Sequence, residues 1–201
     1  MRIGIYGGTF SPVHIGHIRA AKAFIEQIGL DKLMIIPANI PPHKESSDIL
    51  PAEERMELCR LAFEGEKIEV SDIEIQRGEK SYTYDTLTEL KNRGYDDIYM
   101  LCGTDMIDSF ESWYRYKDIF SLATIVRAQR YGTAYEAVDA AEAKVSYYMQ
   151  NFGAKIIKLN MPLTNISSSE IRLMIKDGID VSTYLPSAEY EYIKKKGFYL
   201  D

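Results

Sequence analysis

Short apolar runs rich in β-branched residues alternate along this chain with stretches of helical periodicity, and that alternation admits few folds. The runs are Arg2–Tyr6, Lys32–Pro37, Ile68–Ile75, Asp97–Cys102, Thr124–Val126 and Lys155–Leu159. Helical spacing is clearest at His14–Ile28, Ala52–Phe63, Thr83–Arg93, Ala134–Gln150, Ser168–Lys176 and Ser187–Lys196. Strand, helix, strand with short connections builds right-handed βαβ units. The expected architecture is therefore α/β: a Rossmann-like, doubly wound, mainly parallel sheet with helices on both faces. Pro51 suits a first helical turn, and Gly29, Gly94, Gly178 and Gly197 follow helices where a left-handed residue is wanted. Residues 1–201 are expected to form a single domain, with a C-terminal helical part from about residue 165 packed on it.

Composition closes off other classes. With 46% hydrophobic and 27% charged residues, 13 Gly and 7 Pro, the chain has the means to bury one substantial core, which excludes disorder and collagen-like repeats. A net charge of -6 argues against a surface that neutralises a nucleic-acid backbone, so any bound anion is held locally. No apolar stretch approaches the length of a bilayer span, and Met1–Tyr6 runs into a Gly pair without a signal peptide's apolar core. A cytoplasmic protein without membrane partners is expected. Cys59 and Cys102 lie far apart and match no zinc or C-x-x-C spacing, so both read as reduced, partly buried thiols without assigned chemistry.

In an open parallel sheet, ligands bind beyond the carboxyl ends of the strands. The unusual residues collect there, in the loops Gly7–Pro12, Asn39–Lys44 and Gly103–Asp105. After the first strand comes Gly7-Gly8-Thr9-Phe10-Ser11-Pro12-Val13-His14-Ile15-Gly16-His17. Adjacent glycines let a phosphate approach the backbone, and the following helix presents its N-terminus. The string is neither a G-x-G-x-x-G fingerprint nor a Walker A loop, which takes support from hydride transfer. His14 and His17, three apart on one helical face near the positive end of the dipole, suit one anion. In isolation, core packing and metal ligation are open readings of such a pair. The preceding glycines and the lack of a nearby thiolate favour the anion.

Farther along, Ser167 and Glu170 form a capping box at a helix start from which Arg172 projects, an arrangement that suits a polyphosphate or, more simply, a good cap. Ile40-Pro41-Pro42-His43-Lys44 is by itself an ordinary solvated turn. Ser81-Tyr82-Thr83-Tyr84-Asp85 opens a helix whose N–H groups suit a carboxylate. A lone tryptophan such as Trp113 is more often core than ligand platform. Gly103-Thr104-Asp105 offers a close approach and a carboxylate for a ribose, or merely a helix cap. Lys194-Lys195-Lys196 complements a helix dipole and is structural.

Taken in order along the whole chain, these strings resemble the nucleotidyltransferases with an H-x-G-H signature, and within them the nicotinate-nucleotide adenylyltransferases of bacterial NAD synthesis. Ser11 departs from the Asp or Asn usual at its position, and Ala38 stands where an Asn is usual. The resemblance implies catalytic roles for His14, His17, Lys44 and Arg172. It implies ATP contacts at Gly7, Gly8, Thr9, Phe10, Gly16, Gly103, Asp105, Ile166 and Ser168. Nicotinate mononucleotide would meet Asn39, Thr83, Trp113 and Tyr114, the tryptophan stacking on the pyridine ring and main-chain N–H groups at Thr83 and Tyr114 taking the carboxylate. Mg²⁺ is expected mainly through the ATP phosphates, with no protein metal site and no nucleic-acid partner. Rival readings are adenylyl transfer to nicotinamide mononucleotide or phosphopantetheine, a non-catalytic nucleotide sensor, and, last, a synthetase fragment. Residues 128–154 carry little motif and read as an insertion or a self-association surface.

Overall fold

A computed structural model of the chain describes residues 1–40, 49–130, 135–161, 164 and 166–200. In chain order the elements are β1 (Arg2–Gly8), α1 (Ile15–Ile28), β2 (Lys32–Pro37), α2 (Ala52–Ala62), β3 (Ile68–Val70), α3 (Ile73–Arg77), α4 (Thr83–Asn92) and β4 (Asp97–Gly103). There follow α5 (Thr104–Ser109), α6 (Tyr116–Leu122), β5 (Thr124–Arg130), α7 (Tyr135–Phe152), β6 (Ile156–Met161), α8 (Ser168–Lys176) and α9 (Ser187–Lys196). The six strands form one sheet in the order β3-β2-β1-β4-β5-β6, with every pairing parallel. This is the Rossmann-like α/β fold expected.

Alternation along the strands divides the core. Leu33 and Ile35 join Phe24, Leu101 and Val126 in one cluster, while Met34 and Ile36 join Ile5, Met100, Phe110 and Tyr148 in another. A third cluster of Leu58, Ile166, Ile171, Val181, Leu185 and Ile193 packs the C-terminal helices onto α2. The direction of winding reverses at β1, which pairs with β2 on one side and β4 on the other. A crevice therefore opens where the loops after β1 and β4 part.

Several boundaries differ from the sequence reading. The run Ile68–Ile75 is not one strand: β3 ends at Val70, and Ile73 and Glu74 are buried in α3, closed by Gly78 at φ 77°. Ile73 and Ile75 mimic strand alternation, but β3 is an edge strand with only three residues in register with β2. His14 caps α1 from outside it, and Pro51 is likewise the cap of α2, one residue before its first turn. The strand at Thr124 runs on to Arg130, and the short helices α5 and α6 carry too little periodicity to read. Gly29, Gly94, Gly178 and Gly197 do hold left-handed backbone.

Candidate active site

The loop after β1 is shaped by Phe10, a non-glycine residue held at φ 50°. Its ring, 2% exposed, packs edge-on against Tyr6, His17 and Phe63 at centroid distances of 5.4, 5.2 and 5.8 Å. A Cβ on Gly8 would meet that ring at 2.9 Å, which is why the glycine is needed. The ring of Phe10, read from the sequence as an ATP contact, thus stands as a wall behind His17.

His14 and His17 close the N-terminus of α1 reciprocally: Gly16 N–H donates to His14 Nδ1 at 3.1 Å, and His14 N–H donates to His17 Nδ1 at 3.1 Å. A nitrogen that accepts carries no proton, so each neutral ring keeps its proton on Nε2. The rings lie 3.8 Å apart at a 32° tilt. Two adjacent imidazole rings at a helix N-terminus suit an anion. A Cβ on Gly16 would strike the His14 ring at 2.9 Å, so the glycine of the H-x-G-H string makes room for the first imidazole. Both histidines and Gly16 line one cavity with Gly103, Leu101 and Thr164. Asp105 lies exposed in the first turn of α5, just past Gly103.

The segment on either side of His14 is held from the C-terminal part of the chain. Ser168 Oγ donates to the Pro12 carbonyl at 2.8 Å, Arg172 Nη1 to the Ser11 carbonyl at 2.9 Å, and Ile15 N–H to the Tyr184 carbonyl at 2.9 Å. Tyr199 Oη and Ser11 Oγ share a hydrogen bond of 2.9 Å. The capping box of Ser167 and Glu170 forms as expected, and the Ile166 side chain is buried in the third cluster. Arg172 also lines a surface groove with Leu50, Pro51 and Tyr199.

Glu189 of α9 is fully buried and accepts the Val13 N–H at 2.8 Å. Burial pushes its carboxyl well above the usual carboxylate range, against the pull of that bond. The native state therefore binds a proton that the unfolded chain releases above about pH 4.5, and this stabilisation is lost as pH rises toward the native value. Glu189→Gln cannot lose it. The melting temperature of the wild type should fall relative to Glu189→Gln over the pH units just above 4.5. The limiting slope is about 1.4 kcal/mol, or roughly 3–5 °C, per unit. Parallel melting curves across that window would mean that the buried carboxyl ionises normally.

On the other side of the β4 end, a cavity of about 170 Å³ is lined by Gly7, Gly8, Thr9, Thr83, Trp113 and Tyr114, and also by Ala38, Glu74 and Leu101. Trp113 stacks on Phe110 at 4.6 Å and 19°, so one indole face is core while the side chain still lines the cavity. The exposed Tyr114 leans on Tyr82 at 4.9 Å. Asn39 serves this wall from behind: its N–H donates to Ser81 Oγ at 2.8 Å and its Nδ2 to the Glu79 carbonyl at 3.1 Å. Thr86 Oγ1 donates to Glu74 at 2.7 Å, fixing the start of α4, and burial raises the Glu74 carboxyl.

Sequence reasoning passed over Arg55. Only 1% exposed, it donates to the carbonyls of Thr9, Asn39 and Leu50, each at 2.9 Å, and so ties the loop after β1 to both flanks of residues 41–48. Burial lowers its affinity for the proton. The signal lay in spacing: Arg55, Leu58, Cys59 and Ala62 form one buried helical stripe. His43 and Lys44 lie outside the described residues. Both cysteines are buried, with their thiols pushed up by burial. Among the described residues no helix is long and apolar enough to cross a membrane, and no three His, Cys, Asp or Glu side chains converge as metal ligands.

Residues 5–174 match a family model described as cytidylyltransferase-like. A relative from Listeria monocytogenes serotype 4a, described as a probable nicotinate-nucleotide adenylyltransferase, is 36% identical over 98% of this chain and 97% of its own. One from Citrifermentans bemidjiense with the same description is 37% identical over 100% and 99%. In structure the chain is similar to the nicotinic acid mononucleotide adenylyltransferase of Plasmodium falciparum complexed with NaAD, with a TM-score of 0.74 at 21% identity, covering 98% of this chain and 97% of that one.

Proposed function

Since the chain belongs to the cytidylyltransferase-like family and, within it, to the nicotinate-nucleotide adenylyltransferases, we propose that its two cavities hold the two substrates of that reaction. The enzyme transfers the adenylyl group of ATP to nicotinate mononucleotide, forming nicotinate adenine dinucleotide and pyrophosphate. The observation that carries the reading is a pair of cavities at the carboxyl end of β4 that share Leu101 in their walls. ATP occupies the side of His14, His17 and Gly103, with Asp105 at the ribose. Nicotinate mononucleotide occupies the side of Thr83, Trp113 and Tyr114, where an aromatic wall and a helix N-terminus suit a ring bearing a carboxylate.

The mononucleotide phosphate attacks the α-phosphorus of ATP, and the bond to the bridging oxygen of pyrophosphate breaks. The nucleophile is already anionic, so no general base is needed. The protein must align two repelling anions and stabilise charge on the α-phosphate and leaving group. His17 donates to the α-phosphate and His14 to the phosphate cluster, while Lys44 and Arg172 meet the β- and γ-phosphates. Ser168 and the first turn of α8 complete that cradle. A divalent cation such as Mg²⁺, entering with ATP, would supply further charge neutralisation.

Pyrophosphate release with ATP and Mg²⁺, offering the acid and amide mononucleotides in parallel, tests this reading. Expected is a preference for the acid of at least about 10²-fold in kcat/KM, since an amide leaves the carboxylate-binding N–H groups poorly matched, and loss of release with EDTA. Equal use of both would remove the roles of Thr83 and Tyr114. No release with either would return the site to another acceptor or to nucleotide sensing.

A further inference from the structure

We propose that Glu189 is a positioning residue for adenylyl transfer, holding from α9 the backbone that presents His14 and His17 to the phosphates. The inference rests on the reading of that histidine face as the ATP phosphate site. Four contacts reach the segment just before the histidines from residues 168–199: Arg172 and Tyr199 at Ser11, Ser168 at Pro12, and Glu189 at Val13. Arg172 and Ser168 are also candidate ligand groups, and Tyr199 reaches a side chain. Glu189 alone is a fully buried carboxyl that spends one oxygen on a backbone amide, while its Oε2 is buried without a hydrogen-bond partner among the described residues. Burying that oxygen costs stability, so packing does not explain the choice of residue.

Geometry explains it. The Val13 amide fixes the peptide one residue ahead of His14, whose own N–H donates to His17 Nδ1 at 3.1 Å. A tilt of the Val13 amide carries the His14 N–H away from that nitrogen. The bond that sets the orientation and proton position of the His17 ring then opens, and the His14 ring, 3.8 Å away, moves with it. Trp113, Thr83 and Tyr114 line a different cavity and stay in place.

Replacing Glu189 with methionine, similar in length but without a good acceptor, is expected to lower kcat for adenylyl transfer about 10–100-fold. KM for nicotinate mononucleotide should change less than about twofold, a split that general damage to the fold would not produce. Glu189→Gln, which keeps an acceptor for the Val13 amide, should recover most of the lost kcat. Melting curves show whether each variant is folded at the assay temperature. Should Glu189→Met not fold, Tyr199→Phe loosens the same segment at Ser11 and should show a smaller, kcat-only loss. A folded Glu189→Met with wild-type kcat overturns the proposal, as does Glu189→Gln falling as far as Glu189→Met, or a wild-type kcat in Tyr199→Phe where that variant decides. His14→Ala, assayed beside them, separates the two levels of inference. If it is as active as the wild type, the phosphate reading fails. If it is inactive while Glu189→Met is normal, only the role of Glu189 fails.

Discussion

His17→Ala should lower kcat for adenylyl transfer by about 10²–10³ while the protein remains folded. The ring supplies two things. Its Nε2–H is aimed by the contact that Nδ1 makes with the His14 amide, and the Phe10 ring backs it edge-on. Loss of the donor removes an interaction that strengthens as charge builds on the α-phosphate, so the effect falls on kcat. Loss of the Nδ1 acceptor strips half of the reciprocal cap of α1, costing about 0.5–2 kcal/mol. Initial rates of pyrophosphate release, with a thermal melt of the same sample, check both. A folded variant with near-normal turnover would remove His17 from the chemistry.

Arg55→Met should be the most destabilising single change discussed here, at about 3–5 kcal/mol. One guanidinium, itself buried, satisfies three partly buried carbonyls from three separate segments, and methionine leaves all three without that donor. Arg55→Lys should recover less than half of the loss, because an ammonium on a flexible stem cannot reproduce the planar fork. Urea unfolding gives both values. If methionine costs less than about 1 kcal/mol, the carbonyls find other partners and Arg55 is not what joins these loops. Since two of the three carbonyls flank residues 41–48, the variant should also raise KM for ATP if Lys44 acts on the triphosphate.

Much of this was legible in the residues because periodicity and turn chemistry are local. The strand and helix alternation yields the sheet, and the Gly7-Gly8 and H-x-G-H strings mark residues that line its two cavities. Distant contacts are another matter. Asn39 reads as a ligand contact, yet its hydrogen bonds run to Ser81 and Glu79, about forty residues away. Phe10 reads as part of a phosphate loop, and its side chain is core. Arg55 and Glu189 carry no local motif that marks them. Only the apolar stripes they interrupt, Leu58 and Cys59 beside one, Leu185 and Ile193 beside the other, hint that they point inward. What such a buried charge bonds to is set by the tertiary fold, which no local pattern encodes.

The bonds from residues 168–199 to Ser11–Ile15 also impose an order on biogenesis. The segment Ser11–Val13 leaves the ribosome more than 150 residues before the groups that hold it. At about 5–20 residues per second, the nascent Gly-rich loop waits roughly 8–40 s for its supports. A growing chain therefore carries the H-x-G-H string long before it has the contacts that fix the backbone ahead of it.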